Sequence, residues 1–506
     1  MSYAKVYSAG LVGLTGSVVE VEADVAAGLP TMVLSGLPDT ALHEARDRVR
    51  AALVNSGEEW PQRRITVNLL PADLPKRGSG FDLAIAVAIL GGTGRLPLFP
   101  LDGVVIFGEL GLDGEVRPVR GALAMVAAAT RAGFRRAIVP LANAQEALLV
   151  PGIEVRATDS LHSVLAFIRG RAPLPVAPPE TIGVTAPGPD LADVIGQEES
   201  RLGLEVAAAG GHHLAMVGPP GAGKTMLAQR LPSIIPTLDD EAALEVTAIH
   251  SIARQLEPGT GLMRRPPFQA PHHTASIAAL VGGGSGLARP GSLSLAHHGV
   301  LFLDEAPEFP ARALETLRQP LEEGTITIGR SRETLTFPAR VQLVLAANPC
   351  PCAKPGGDQQ CECLPQARRR YLGRLSGPLL DRIDIHLRPL ALTAAELLDT
   401  DQIRESSATV GERVVTARAA AAERWRSEGW LVNAAATGTK LNEPPWRLPL
   451  SATRDLRHRI DLGLISARGY VRVLRLAWTF ADLAGRDRPT SDDVNAALTL
   501  RTGAAR

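Results

Sequence analysis

The sequence predicts an α/β protein of three folded units: a mixed α/β domain, a second α/β domain of strand-loop-helix order, and a helical domain. Three observations predict it. Before residue 170, short Val/Ile-rich strands alternate with Ala-rich helical stretches. Between 213 and 346 an apolar strand, a Gly-rich turn and a helix are followed by two further apolar strands. From about 395 onward Ala, Leu, Arg and Glu recur at helical spacing. At 506 residues the chain is too long for one ordinary core, so three domains fit its length.

In the first unit, residues 1–170, Val18-Val19-Glu20-Val21-Glu22 alternates and reads as an edge strand rather than part of a signal peptide. Ile65 to Leu69 and Val104 to Phe107 read as strands, Leu42 to Asn55 and Leu123 to Ala132 as helices. Residues 171–188 carry Ala-Pro-Leu-Pro-Val-Ala-Pro-Pro-Glu and then Thr-Ala-Pro-Gly, which cannot hold a helix or a central strand, and read as a linker. The second unit, 189–395, has strands at His213 to Val217, Val300 to Leu303 and Val341 to Ala346; residues 396–506 form the helical unit. No repeat of 20 to 50 residues is present.

Composition narrows the classes. The 53 basic and 53 acidic residues cancel, so no global polybasic character points to nucleic acid, although a neutral total can hide a local basic stripe. Only five lysines occur. No run approaches the roughly 18 apolar residues a membrane span needs. All four cysteines fall between Cys350 and Cys363, which suits a local metal or redox role and a reducing, cytoplasmic setting rather than a disulfide framework.

Gly218-Pro219-Pro220-Gly221-Ala222-Gly223-Lys224-Thr225 follows an apolar strand and opens a helix. Its glycines let backbone N–H groups wrap phosphates, Lys224 reaches the β and γ oxygens of ATP, and the Thr225 hydroxyl suits magnesium. Val300-Leu301-Phe302-Leu303-Asp304-Glu305 supplies a buried strand ending in two carboxylates: Asp304 for the magnesium shell, Glu305 to orient and deprotonate water. Asn348 ends the third strand, where an amide would orient water near the γ-phosphate. Arg382, after Ser376-Gly377-Pro378-Leu379-Leu380-Asp381, suits donation to a neighbouring subunit's ATP, and Arg468 opens a helix from which it would reach the γ-phosphate. A surface carboxylate pair and salt-bridged surface arginines are the plainer readings of these residues.

Residues 189 to 506 resemble the magnesium-chelatase branch of AAA+ ATPases, specifically the ComM/YifB family. The strings that carry the resemblance are Pro271-His272-His273-Thr274-Ala275-Ser276, Val281-Gly282-Gly283-Gly284, Leu317-Arg318-Gln319-Pro320-Leu321-Glu322, Asn348-Pro349-Cys350-Pro351-Cys352 and Ser376 to Asp384. One departure is Asp304-Glu305-Ala306-Pro307-Glu308-Phe309, where a leucine is expected at Ala306; the carboxylates are kept. The resemblance implies an AAA+ domain with a helical lid and a hexameric ring of identical subunits. It further implies motion on single-stranded or branched DNA, helicase-type branch migration beside recombination proteins during natural transformation, and no membrane.

Two insertions bear on the DNA. Leu280 to Leu293 would interrupt a helix with a Gly-rich loop, and Gly324 to Pro338 alternates like a hairpin with Gly329-Arg330-Ser331-Arg332 at its tip. In a pore, Arg289, Arg330 and Arg332 would face a phosphate backbone, though such arginines also occur as solvated turns. Cys350, Cys352, Cys361 and Cys363 read as tetrahedral structural zinc, as four reduced structural thiols or as a redox switch, with Arg368-Arg369-Arg370 following as a basic knob.

The first unit resembles the Lon-protease (S5-like) domain over Pro75-Lys76-Arg77-Gly78-Ser79-Gly80, Gly108-Glu109-Leu110 and Gly114 to Val119. That family needs a serine nucleophile and a lysine base; the resemblance in register puts Gly80 and Leu123 at those positions, and neither does the chemistry. An inactive protease scaffold is expected. Besides a DNA motor, the ATPase subunit of a magnesium or cobalt chelatase acting on tetrapyrroles, an ATP-dependent protease and an ATP-switched binding module stand as alternatives.

Overall fold

The computed structural model describes the chain except for residues 1, 14, 36–38, 72–77, 178–187, 254, 257–260, 284–288, 330–333, 355–359, 394–395, 397–403 and 504–506. The first domain is built on β1 (Tyr3–Val12), β2 (Thr15–Ala26), β3 (Thr31–Ser35), β4 (Arg64–Leu70) and β5 (Val104–Ile106), with a small ribbon of β6 (Glu109–Leu110) and β7 (Val116–Arg117), then β8 (Arg136–Pro140) and β9 (Glu154–Thr158). Its main sheet has the order β3-β4-β2-β1-β5-β8-β9. The β1–β2 and β2–β4 pairs are antiparallel, and the remaining pairs are parallel.

The stretch expected at an edge, Val18 to Glu22, is interior, because β2 pairs with β1 on one side and β4 on the other. Its alternation reports one buried and one half-exposed face; it carries no information on whether the backbone edges are paired. Where helices cover both faces the alternation changes sense. Val104 and Ile106 enter one apolar cluster while Val105 and Phe107 enter the other. Helix Asp82–Gly92 is apolar all round and buried from Asp82 to Leu90, the signature of a helix lying inside a core. Of the Pro-rich stretch, residues 171–177 still dock on this domain: Leu174 and Ala177 are buried, and Val176 bridges to Arg156.

The second domain carries β10 (Leu214–Val217), β11 (Phe268–Gln269), β12 (Val300–Leu303), the hairpin strands β13 (Thr325–Gly329) and β14 (Thr334–Pro338), β15 (Gln342–Ala347) and β16 (Ile385–Leu387). Its main sheet runs β11-β12-β15-β10-β16, every pair parallel. Such a sheet is covered on both faces, and β12 and β15 are accordingly buried at every position. The first insertion appears as helices Ile277–Val281 and Ser292–Leu295 either side of the Gly-rich stretch, the second as the β13–β14 hairpin.

Helix Asp240–Ala253 sits between the two α/β domains. Leu244 and Ala248 pack on the first domain's cluster and Ser251 Oγ donates to Glu146 Oε2 at 2.6 Å, while His250 Nε2 lies 3.0 Å from Leu295 O of the second domain. The helical unit, with Ser407–Arg424, Ala467–Leu483 and Ser491–Thr502 as its main helices, closes over the second domain around Trp425, Trp446 and Trp478. It is tied to the sheet through Asp384, wholly buried just before β16. Its carboxylate meets His212 Nδ1 at 3.0 Å and Arg472 Nη1 at 3.1 Å, and His212 Nε2 reaches Thr479 Oγ1 at 2.8 Å. Burial alone would raise Asp384, but Arg472 and His212 overcome it and hold the carboxyl well below its usual range.

Candidate active site

The ends of β10, β12 and β15 bring four of the expected residues together. Gly223, at φ 77°, begins the helix Lys224–Ile234, and Gly221 stands at φ 78°, a backbone region open to glycine at no steric cost. A Cβ on Gly218 would come within 2.4 Å of Pro389 O, so this glycine is required by close approach. The Lys224 ammonium donates to Gly218 O at 2.7 Å, Pro219 O at 2.9 Å and Asn348 Oδ1 at 3.1 Å. Burial draws Lys224 below its ordinary value, with Asp304 and Glu305 opposing.

Thr225 Oγ1 donates to Asp304 Oδ2 at 2.8 Å. A hydroxyl and a carboxylate oxygen so placed are the hard donors a magnesium ion takes, so these residues fit the ion. Glu305 follows with left-handed backbone at φ 49°. Its Oε2 lies 3.2 Å from His273 Nδ1.

Arg382 and Arg468 gather elsewhere. Arg382 is held by Glu322 Oε1 at 2.5 Å and Pro378 O at 2.6 Å; Arg468 Nη1 lies 3.5 Å from Asp381 Oδ2. Both line one cavity with Arg472 and Arg475, and their hydrogen bonds among the described residues go to none of residues 218–225. Two arginines singled out from different domains thus share one basic surface.

The four cysteine sulfurs lie within 4.8 Å of one another, with Cys350–Cys352 at 3.1 Å, Cys350–Cys361 at 3.3 Å and Cys352–Cys361 at 3.6 Å. That compact all-thiol set fits a tetrahedral soft-metal site. The cluster begins two residues after Asn348 and leads into the helix Pro365–Leu372, on which Arg369 and Arg370 are exposed.

A second group, Glu245 with His297 and His298, is equally close but does not suit a metal. His297 Nδ1 accepts the Arg340 N–H at 3.0 Å, so the neutral ring carries its proton on Nε2, the atom 3.1 Å from Glu245. It is a docking contact for the helix Asp240–Ala253.

Of the residues expected at nucleic acid, Arg289 is exposed, and Gly283 and Arg289 exchange backbone bonds of 3.0 and 3.1 Å at the base of their loop. Arg330 and Arg332 lie outside the described residues, as do Pro75 to Arg77 and Gly284. In the first domain the Ser79 hydroxyl donates to the Glu109 carboxylate in a small cavity also lined by Gly80, Arg120 and Met125, with no lysine among the described lining; Leu123 is fully buried.

Sequence reasoning assigned no role to three residues. Gln197, at φ 58°, donates its amide to Leu390 O and, at 3.4 Å, to Ala222 O, tying the segment before the helix Glu198–Gly210 to the Gly-rich loop. The only signal was its Gly196-Gln197 pair at the start of the helix that follows the Pro-rich stretch. Asp384 and His273 lay within quoted strings, but their partners, His212 and Glu305, are 172 and 32 residues away in the chain.

Three family models match in succession: subunit ChlI of Mg-chelatase over residues 21–143, magnesium chelatase subunit ChlI over 190–397, and its C-terminal part over 404–501. The chain is 51% identical over 509 residues to an uncharacterised protein of Mycobacterium tuberculosis, spanning both in full. It is 42% identical over 502 residues to the uncharacterised protein YifB of Escherichia coli, covering 99% of this chain and 97% of that one. To the competence protein ComM of Haemophilus influenzae it is 40% identical over 493 residues, covering 96% and 95%.

Proposed function

The chain belongs to the YifB/ComM family of magnesium-chelatase-like AAA+ proteins, and from that premise we propose that it is an ATP-hydrolysing motor that moves DNA. The observation that carries the ATPase reading is the convergence of Lys224, Thr225, Asp304 and Asn348 within hydrogen-bonding distance, with Glu305 beside them. Lys224 and the loop N–H groups hold the phosphates, and Asn348 orients the attacking water. Glu305 takes a proton from that water as its oxygen bonds to the γ-phosphorus; the bond to the bridging oxygen breaks, and ADP leaves with the electron pair. Magnesium, held by Thr225 and Asp304, would supply positive charge against the phosphate oxygens.

The site is composite on this reading. The Arg382 and Arg468 surface belongs to the adenine nucleotide of the next subunit in a homo-oligomeric, hexameric ring, which accounts for its separation from the chain's own loop. The exposed Arg289 and the β13–β14 hairpin meet the DNA, single-stranded or branched, and the work done is branch migration in recombination during natural transformation, in the cytoplasm. What supports the DNA reading is the likeness to ComM, a competence protein, together with packing between the two insertions: Leu280 and Val281 share an apolar cluster with Ile326 and Ile328 of β13. The cysteines hold structural zinc, and the Lon-like domain, with no lysine among the described residues that line its cavity, is a scaffold that a serine-directed probe leaves unlabelled.

The ChlI models favour a second reading, the ATPase subunit of a magnesium or cobalt chelatase. ATPase rate with and without single-stranded and branched DNA separates the two. The motor reading expects stimulation that weakens as salt rises, through counterion release; a rate unmoved by any DNA at low and moderate salt overturns it.

A further inference from the structure

β12 and β15 lie side by side in parallel register, Leu303 against Leu345, so the segment that carries Asp304 and Glu305 and the one that carries Asn348 leave the sheet as neighbours. The four-cysteine cluster grows out of the second. Only Pro349 separates Asn348 from Cys350, which is buried and whose sulfur lies 3.1 Å from that of Cys352 and 3.3 Å from that of Cys361. Proline fixes its own φ and narrows the backbone choice of the residue before it, so Asn348-Pro349-Cys350-Pro351 has little play. Beyond Cys352, Ala353 stands at a left-handed φ of 48°, which a residue other than glycine keeps only where its surroundings impose it.

The far end of the cluster leads back to the first segment. Cys363 is followed by Leu364 and the helix Pro365–Leu372, with Pro365 in its first turn and Tyr371 buried in its last. Two residues past that helix, Arg374 Nη1 donates to Pro307 O at 3.2 Å and to Glu308 Oε2 at 2.9 Å. The Glu308 N–H in turn donates to Glu305 O at 2.7 Å. The two halves of the cluster are also tied by Lys354 Nζ, 2.9 Å from Glu362 Oε1.

The cysteines therefore sit between two attachments, one to each residue that handles the attacking water. Nucleotide binding has other supports: Lys224 keeps Gly218 O and Pro219 O if Asn348 shifts, and Thr225 is bonded to Asp304.

We propose that the four-cysteine cluster, filled by a soft divalent metal, positions Asn348 and Glu305 for hydrolysis, which makes turnover conditional on the cluster while ATP binding is not. Cys350 acts on Asn348 through the proline-stiffened chain, and Arg374 acts on Glu305 through Pro307 and Glu308. The inference rests on the reading of Asn348 and Glu305 as the residues that handle the water and of the cysteines as a metal site.

The test compares the full chain as wild type, Cys361→Ser and Arg374→Ala, each measured for zinc content, affinity for a fluorescent ATP analogue and hydrolysis without DNA. Cys361→Ser should carry little zinc, bind the analogue within about twofold of wild type and turn over about tenfold or more slowly, since misplacement by about 1 Å can cost a hundredfold. Arg374→Ala leaves the cysteines intact; it should keep its zinc and its affinity and lose about two- to fivefold in kcat, the range an exposed ion pair supports. Arg374→Lys, which keeps a charge facing Glu308, should return toward wild type. Wild type stripped by chelator and assayed with magnesium restored should behave as Cys361→Ser does and recover with one equivalent of zinc. A Cys361→Ser or stripped protein that hydrolyses at the wild-type rate overturns the proposal. So does one whose affinity falls in step with kcat, because the cluster would then only hold the domain together. An unchanged kcat in Arg374→Ala overturns the attachment to Glu305. The parent readings fail differently: less than about half an equivalent of zinc in the wild type removes the metal, and a Glu305→Gln variant that hydrolyses at the normal rate removes the base.

Discussion

At the scale of single residues, the catalytic proposal turns on groups whose identity was written in local strings and whose pairing was not. Thr225 and Asp304 are 79 residues apart in the chain and 2.8 Å apart in space. Glu305→Gln keeps the shape of the side chain and removes its basicity, so the variant should bind ATP, assemble and lose hydrolysis by roughly a hundredfold or more, as loss of a general base does. Single-turnover hydrolysis with native mass measurement checks this, and normal turnover would mean that the base lies elsewhere. Lys224→Ala should instead abolish nucleotide binding, since it removes the buried ammonium that spans the loop carbonyls and Asn348. Titratable side chains outside the site set the acid limit. Burial draws His213 and His386 down to about 4, and His213 Nδ1 accepts the Leu343 N–H, which only an unprotonated nitrogen does. Both folded values lie below the ordinary imidazole, so the unfolded chain takes up protons first. The stability they contribute stands in full above roughly pH 6.5 and drains away as pH falls toward 4. Melting temperature should therefore drop across that window, and His386→Gln should flatten the slope; an unaltered slope would clear His386 of the effect.

At the scale of elements, periodicity served where burial was one-sided and fell short where pairing or docking mattered. Val300 to Leu303 is read from sequence with both ends correct because a four-residue apolar run followed by two carboxylates has few other uses. β2 is misplaced at an edge because alternation describes faces, while edge or interior depends on partners supplied by β1 and β4. The lid helix Ala467–Leu483 is legible as a helix, but its attachment through Arg472 and Thr479 to Asp384 and His212 is not. Trp425→Ala should loosen this lid by about 3 to 5 kcal/mol, the usual cost of removing a fully buried large aromatic, read as an earlier lid transition in thermal unfolding. The cysteine element makes a separate claim. Protein purified without chelator should carry close to one zinc per chain, lost in Cys361→Ser; less than about half an equivalent would leave reduced thiols as the better account.

At the scale of the whole molecule, the Arg382 and Arg468 surface, which among the described residues makes no hydrogen bond to residues 218–225, is the feature that asks for a neighbour. Arginines supplied to another subunit's phosphates are worth roughly a thousandfold or more in rate in comparable NTPases. Arg382→Ala and Lys224→Ala should each be inactive alone. Mixed together they should regain activity, because one kind of interface then combines an intact Lys224 with an intact Arg382. No recovery on mixing would assign Arg382 to its own subunit. The helix Asp240–Ala253, bonded to Glu146 of the first domain through Ser251 and to Leu295 of the second through His250, joins the two α/β domains. Among the described residues no helix is long and apolar enough to cross a membrane.

The sequence by itself determined the Gly-rich turn at 218–225, the two carboxylates after an apolar strand, the strand-loop-helix order of the second domain, the two insertions and the helical end, since each is encoded within a short window by backbone demands, side-chain chemistry or period. It also determined the family, through strings specific enough to match relatives along nearly the whole chain. Only the tertiary structure decided that β2 is interior, that Arg468 joins Arg382 on Asp381, that Asp384 and His212 tie the lid to the sheet, and that His273 lies on Glu305. The reason is physical. Hydrogen bonds and ion pairs act over about 3 Å of space whatever the distance along the chain, and a window of sequence reports what a segment can offer but not which partner folding brings to it.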